Sequence, residues 1–262
     1  MGWLIAAATN THLCQIFDLG AMLVLGGVCQ LVAQVLRAWM PPFGLFVVTF
    51  CLVALGQAYN DTQANAFVAE VNGAHRWLAF IHACYMCGCL VGPFAATAIA
   101  SAGDVSRWYL FYTVPVGICV LNIALVSWAF WDSLSLKRKN AATDTDRDMQ
   151  PVAEEEEQNV SRNSSAIQLI KATLGRKSVW LLSMFYFFYI GSQITMSGWV
   201  VEYLVEVRKG ELSKMGYVPA GFNGGCLLGR LLLAEPTYRL GERKMVTIYC
   251  VIALALQIVF WL

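Results

Sequence analysis

Gln57, Asp61 and Asn65 stand at i, i+4 and i+8 within Gly-Gln-Ala-Tyr-Asn-Asp-Thr-Gln-Ala-Asn-Ala-Phe-Val-Ala-Glu, residues 56–70. On a helix this spacing stacks them into one polar stripe. Their surroundings are apolar, and an aspartate at the centre of a membrane helix costs about 2.5–3.5 kcal/mol. Such a side chain turns toward a bundle interior or a watery path rather than toward lipid. One reading makes Asp61 a proton-coupling or substrate-binding carboxylate, since a desolvated carboxylate holds its proton more tightly and can exchange it during a cycle. The other makes it a cap or pin for a neighbouring helix. Glu70, at the end of the stretch, reads as a solvated flank.

A second polar stretch is Tyr189-Ile-Gly-Ser-Gln-Ile-Thr-Met-Ser-Gly-Trp199. Gln193 and Ser197 share a helix face, as do Thr195 and Trp199. An amide, hydroxyls and an aromatic ring are what a sugar-like or other polar organic ligand needs, although interhelical hydrogen bonding would use the same groups. Gly191 and Gly198 permit bending or close approach of a neighbour. The run His82-Ala-Cys-Tyr-Met-Cys-Gly-Cys89 invites a metal hypothesis, but Cys89 falls on a different helix face from Cys84 and Cys87, whereas closed zinc sites need converging ligands. Small-residue packing explains the run better. His82 remains a candidate to hydrogen-bond a solute. Arg230, inside an apolar run, can snorkel out or pair with a carboxylate such as Glu235. Arg239-Leu-Gly-Glu-Arg-Lys244 forms a tight basic turn, so Arg230 and Arg239 are taken as conformational residues.

These residues sit in a chain built for lipid. Of its 262 residues 58% are hydrophobic and 13% charged, against about 45–50% and about 25% in soluble domains. The net charge of +1 excludes a global field for nucleic acid. All nine cysteines lie in or beside apolar runs, a poor pattern for an extracellular disulfide framework. No basic residue precedes Arg37, so no cleavable signal peptide is expected. Segments near 18–37, 43–70, 77–101, 107–131, 178–206, 216–234 and 244–262 are long enough to cross about 30 Å of hydrocarbon, and an eighth near 2–12 is too short. The fold class expected is therefore all-α, a polytopic helix bundle of about seven full spans and one partial.

Short connections at 38–42, 71–76 and 235–243 make neighbouring helices antiparallel. The long connection 132–177 holds nearly half of the charged residues, including the run Glu154 to Glu157, a composition that resists ordering. Residues 166–174 within it suit a short amphipathic helix on the membrane surface. The chain thus divides into 1–131, a charged loop 132–177, and 178–262. Twelve of the 18 basic residues fall on the side of the long loop and five on the other, which places that loop in the cytosol. A faint echo between Asp18-Leu-Gly-Ala and Arg239-Leu-Gly-Glu suggests two related halves.

The stretch 56–65, Phe80-Ile-His-Ala-Cys-Tyr to Gly92-Pro93, Tyr189-Ile-Gly to Gly198-Trp199, and Gly229-Arg230 with Arg239 to Lys244 together resemble the major facilitator superfamily, in the fungal branch similar to fucose–proton symporters. The resemblance implies a partial major facilitator fold, with the family's first helix and last three absent and both ends truncated. It implies secondary active transport of a small polar solute by alternating access, proton-linked at Asp61. Gln57, Asn65, His82, Gln193 and Trp199 are the candidate solute contacts. The family often carries an acid where Gln193 stands, and the turn Gln15-Ile-Phe-Asp-Leu-Gly lacks its usual basic residues. The partners expected are the solute, a proton and the bilayer, with no cofactor, no metal and no nucleic acid. The plasma membrane is expected over an internal one. A non-transporting truncated product and a seven-span receptor are the rival readings. No nucleophile–base pair suggests an enzyme.

Overall fold

The computed structural model describes residues 1–100, 108–134, 166–211, 215 and 217–262. Among these the chain is helical and has no strand. The helices are α1 (Gly2–Ile16), α2 (Leu19–Ala38), α3 (Phe43–Ala69), α4 (Ala74–Ala100), α5 (Thr113–Ala129, after a 3-10 turn at Trp108–Tyr112), α6 (166–174), α7 (Lys177–Glu206), α8 (Val218–Leu240) and α9 (Glu242–Trp261). Local chemistry sets their ends. Pro41 and Pro42 cannot continue α2, and Met40 before them takes a positive φ of 53°. Gly73 and Gly241 occupy the left-handed side of φ, at 77° and 93°, where a side chain would be strained.

Six helices are long and apolar enough to cross a bilayer among the described residues: α2, α3, the 74–96 part of α4, the 108–129 stretch ending in α5, α7 and α9. The seventh expected span exists as α8, 23 residues long, but Asn223, Arg230, Glu235 and four glycines dilute its apolar character. Two boundaries differ from expectation. The partial first segment is longer, reaching Ile16 rather than residue 12. The tight turn expected over 235–243 is mostly helix. Pro236 removes one N–H from α8, yet the helix continues to Leu240, with Thr237 Oγ1 donating to the Leu233 carbonyl at 2.6 Å. Gly241 alone makes the reversal. Helix forms over 166–174 as expected, whereas the acidic run and 135–165 around it lie outside the described residues.

Two compact units are present. The first comprises Met1–Ala64 and Ala96–Gly191. Its core gathers Ala6, Met22, Ala58 and Tyr59, with Leu13, Cys14, Phe17, Leu25 and Leu55 packed around them. Small residues let α2 and α3 meet: a methyl group added to Gly26 would lie 2.7 Å from the Gly56 carbonyl, and one added to Gly56 would lie 2.9 Å from Cys29 Cβ. At the far end of α2, buried Arg37 donates through Nε to Thr49 Oγ1 at 2.7 Å, and its guanidinium lies 4.0 Å from the Phe50 ring centre. The second unit comprises Asn65–Ala95 and Ser192–Leu262. There α8 and α9 form a helical hairpin, tied by the hydroxyls of Thr237 and Tyr249 at 2.9 Å. Arg208 closes the far end of α9 by donating to the carbonyls of Phe260 and Trp261, at 3.1 and 2.6 Å, where the helix dipole favours a cation.

Candidate solute path and ion cluster

Helix α3 uses two faces. Tyr59 and Gln63, one turn apart, are buried against α1. The Tyr59 and Thr9 hydroxyls are 2.6 Å apart. Gln63 Nε2 donates to Asn10 Oδ1 at 3.0 Å and reaches Cys14 Sγ at 3.0 Å. This interlock holds one side of α3 against the polar stretch Thr9-Asn10-Thr11-His12 of α1. Two residues further along a helix is a rotation of about 200°, so Asp61 points away from the interlock, and it is exposed. Gln57, four residues before it, is half-buried. In the same helix Asn60 turns its Oδ1 toward Gly26 of α2, where it is buried without a hydrogen-bond partner.

The remaining sequence-selected residues lie in the second unit. Asn65 is half-buried, and its Oδ1 is enclosed without a partner. His82 on α4 and Gln193 on α7 are half-buried, and Trp199 is 67% exposed. Helix α7 runs unbroken through Gly191 and Gly198, and among the described residues no neighbour lies within 4 Å of a methyl group added at either. Neither glycine is therefore used for a close approach there. The nine cysteines are all free thiols. No cluster of metal-ligating side chains forms among the described residues.

An ion cluster that sequence reading missed joins α4 to α8. Glu235 Oε2 accepts from Arg76 Nε at 2.9 Å and lies 3.3 Å from His75 Nε2, while Oε1 accepts from Arg239 Nε at 2.8 Å. His75 stacks flat on Tyr238, with ring centres 3.9 Å apart. The Arg76 bond, then those of Arg239 and His75, hold the Glu235 carboxyl down at about 2, well below its ordinary 4.5. The carboxylate offered by sequence to Arg230 is therefore taken by other partners, and Arg230 is half-buried in α8 without it. Arg239, by contrast, is tied into the cluster through an i,i+4 pair. The sequence carried one signal for this arrangement: His75-Arg76 and Glu235 to Arg239 each flank an apolar run on the same predicted side. Their pairing, 159 residues apart, left no local trace.

Comparison with known proteins agrees with this architecture. Bypass of stop codon protein 6 of Saccharomyces cerevisiae is 23% identical over 253 residues, which cover 93% of this chain and 49% of that protein. The chain thus spans about half the length of the curated relative it matches. No solved structure matches it. The family model described as Major Facilitator Superfamily matches residues 2–262, a span that includes every helix above. This multi-pass membrane chain belongs to the Major Facilitator Superfamily.

Proposed function

We propose that the protein serves secondary active transport of a small polar solute, of sugar-like chemistry, coupled to protons through Asp61. The observation that carries this reading is the division of α3. Its Tyr59–Gln63 face is locked onto α1, and Asp61 stands on the other side with Gln57 and Asn65 on its stripe. An aspartate set there in an apolar helix calls for water or a polar ligand beside it. Asn65, with an enclosed carbonyl oxygen lacking a partner, is suited to receive a solute hydroxyl. His82, Gln193 and Trp199 supply further donors and a stacking surface. The fungal fucose–proton symporter branch and the plasma membrane are the setting this chemistry fits.

With 1–131 and 178–262 taken as the two halves of a pseudo-symmetric transporter, and 132–177 as the cytosolic loop between them, α4 and α8 belong to different halves. The Glu235 cluster then acts as a latch at their loop-side ends. Rocking that opens this side must separate Glu235 from His75 and Arg76, while Arg239 travels with it on α8. The reading assigns Arg239 to holding the carboxylate ready for reclosure, and Arg230 to the same moving helix.

The test is solute-driven proton uptake in proteoliposomes containing the full chain, screened over hexoses and related polyols. Addition of a transported solute is expected to alkalinise the outer medium, and Asp61→Asn is expected to abolish the pH change while sparing solute binding. Equal proton uptake by wild type and Asp61→Asn would remove Asp61 from coupling. Binding without any uptake by the wild type would favour a membrane protein that does not transport.

A further inference from the structure

We infer that α6 is an interfacial anchor that docks onto anionic phospholipid headgroups beside the point where α7 enters the bilayer. The helix over 166–174 is short and two-sided. Ala166 is fully buried and Ile170 half-buried, so one arc faces protein. Ile167, Lys171 and Leu174, at i, i+4 and i+7, form a separate stripe. Ile167 and Leu174 are 56% and 51% exposed, and Lys171 is exposed between them. A lysine flanked by two aliphatic side chains can lay its stem on an apolar surface and lift its ammonium to the headgroups.

The neighbouring helix identifies the occupant. Only Gly175 and Arg176 separate α6 from α7, a 30-residue membrane-spanning helix beginning at Lys177. The stripe therefore lies within a turn or two of the bilayer surface. Trp180, in the first turn of α7, donates its indole N–H to the Leu174 carbonyl at 2.8 Å. This bond satisfies one open carbonyl at the end of α6 and fixes the corner between the two helices. An indole at such a corner belongs to the headgroup layer. Lys171, Arg176 and Lys177 then stand together at the interface with no carboxylate in 166–180 to offset them. Aliphatic residues below and three cations above match a leaflet with anionic headgroups, not a neutral one.

Amide hydrogen exchange of the full chain in nanodiscs tests this without reference to transport. Nanodiscs of phosphatidylcholine alone are compared with nanodiscs that also contain phosphatidylserine. Peptides covering 166–176 are expected to exchange more slowly when phosphatidylserine is present. Lys171→Gln and Arg176→Gln should each remove roughly fivefold of that protection, the equivalent of one basic residue at an anionic surface. Unchanged exchange in α2 and α5 peptides would report that the variants remain folded. Equal exchange in the two lipid compositions, or protection that survives the double variant, would overturn the proposal. So would equal protection in a neutral detergent micelle, which would mean that the protein itself covers the stripe.

Discussion

Asp61 and Gln63 sit two positions apart and do opposite work. Gln63 is buried and holds Asn10 and Cys14 of α1, whereas Asp61 is exposed on the other side of α3. The interlock, not the aspartate, is expected to carry stability. Gln63→Leu strips α3 of its bonds to Asn10 and Cys14, and interhelical hydrogen bonds in membrane proteins are worth about 0.6 kcal/mol on average and up to about 1.7. A loss of about 1 kcal/mol is expected for Gln63→Leu and less than half of that for Asp61→Asn, measured by thermal unfolding in detergent micelles. Equal losses would mean that Asp61 also pins a neighbouring helix. Asp61 was visible in the sequence because a charge in an apolar run stands out. Gln63 was not, because an uncharged amide beside it carries no mark of which helix it will meet.

Between elements, the crossing of α2 and α3 depends on Gly26 and Gly56, where backbone approaches backbone. Gly56→Val has to push the helices apart, and overpacking of this kind costs about 1–3 kcal/mol. Gly191→Ala on α7 meets open space and should instead gain up to about 1 kcal/mol from the lower backbone entropy of alanine. The two variants are expected to move the unfolding midpoint in opposite directions. A loss at Gly191 comparable to that at Gly56 would show that α7 is packed against a partner in the folded membrane state. Glycine content alone marked all these positions alike. Only the position of the neighbouring helix distinguishes a required glycine from a tolerated one.

For the molecule as a whole, the Glu235 cluster sets a pH dependence. Its folded-state carboxyl lies at about 2, below the ordinary 4.5. A lowered carboxyl contributes its full stabilisation above the ordinary value and loses it as pH falls through the folded one. Protection of the amides in 74–78 and 234–240, taken relative to the intrinsic exchange rate at each pH, is therefore expected to hold at neutral pH, to begin falling below about pH 4.5, and to be lost as pH drops through about 2. Glu235→Gln should show the reduced protection at neutral pH and no such transition. Salt should weaken the cluster as well, because Arg76 and Arg239 are well exposed. A wild-type profile that matches Glu235→Gln across the range would mean that the cluster does not hold α4 to α8.

The amino-acid sequence by itself determined the class of solvent and the shape of the elements. Runs of about twenty apolar residues can satisfy their backbone groups in lipid only as helices, so the spans and their turns at Pro41-Pro42 and Gly73 were legible without coordinates. The polar stripe of α3 was legible too, since helical periodicity is local. Tertiary structure alone decided which face of α3 is locked, which glycines are crossings, and that Glu235 answers to His75 and Arg76 rather than to Arg230. Those outcomes depend on contacts between residues far apart in the chain, and within lipid hydrophobicity does not choose among them, because one apolar helix face attracts a neighbour about as well as another.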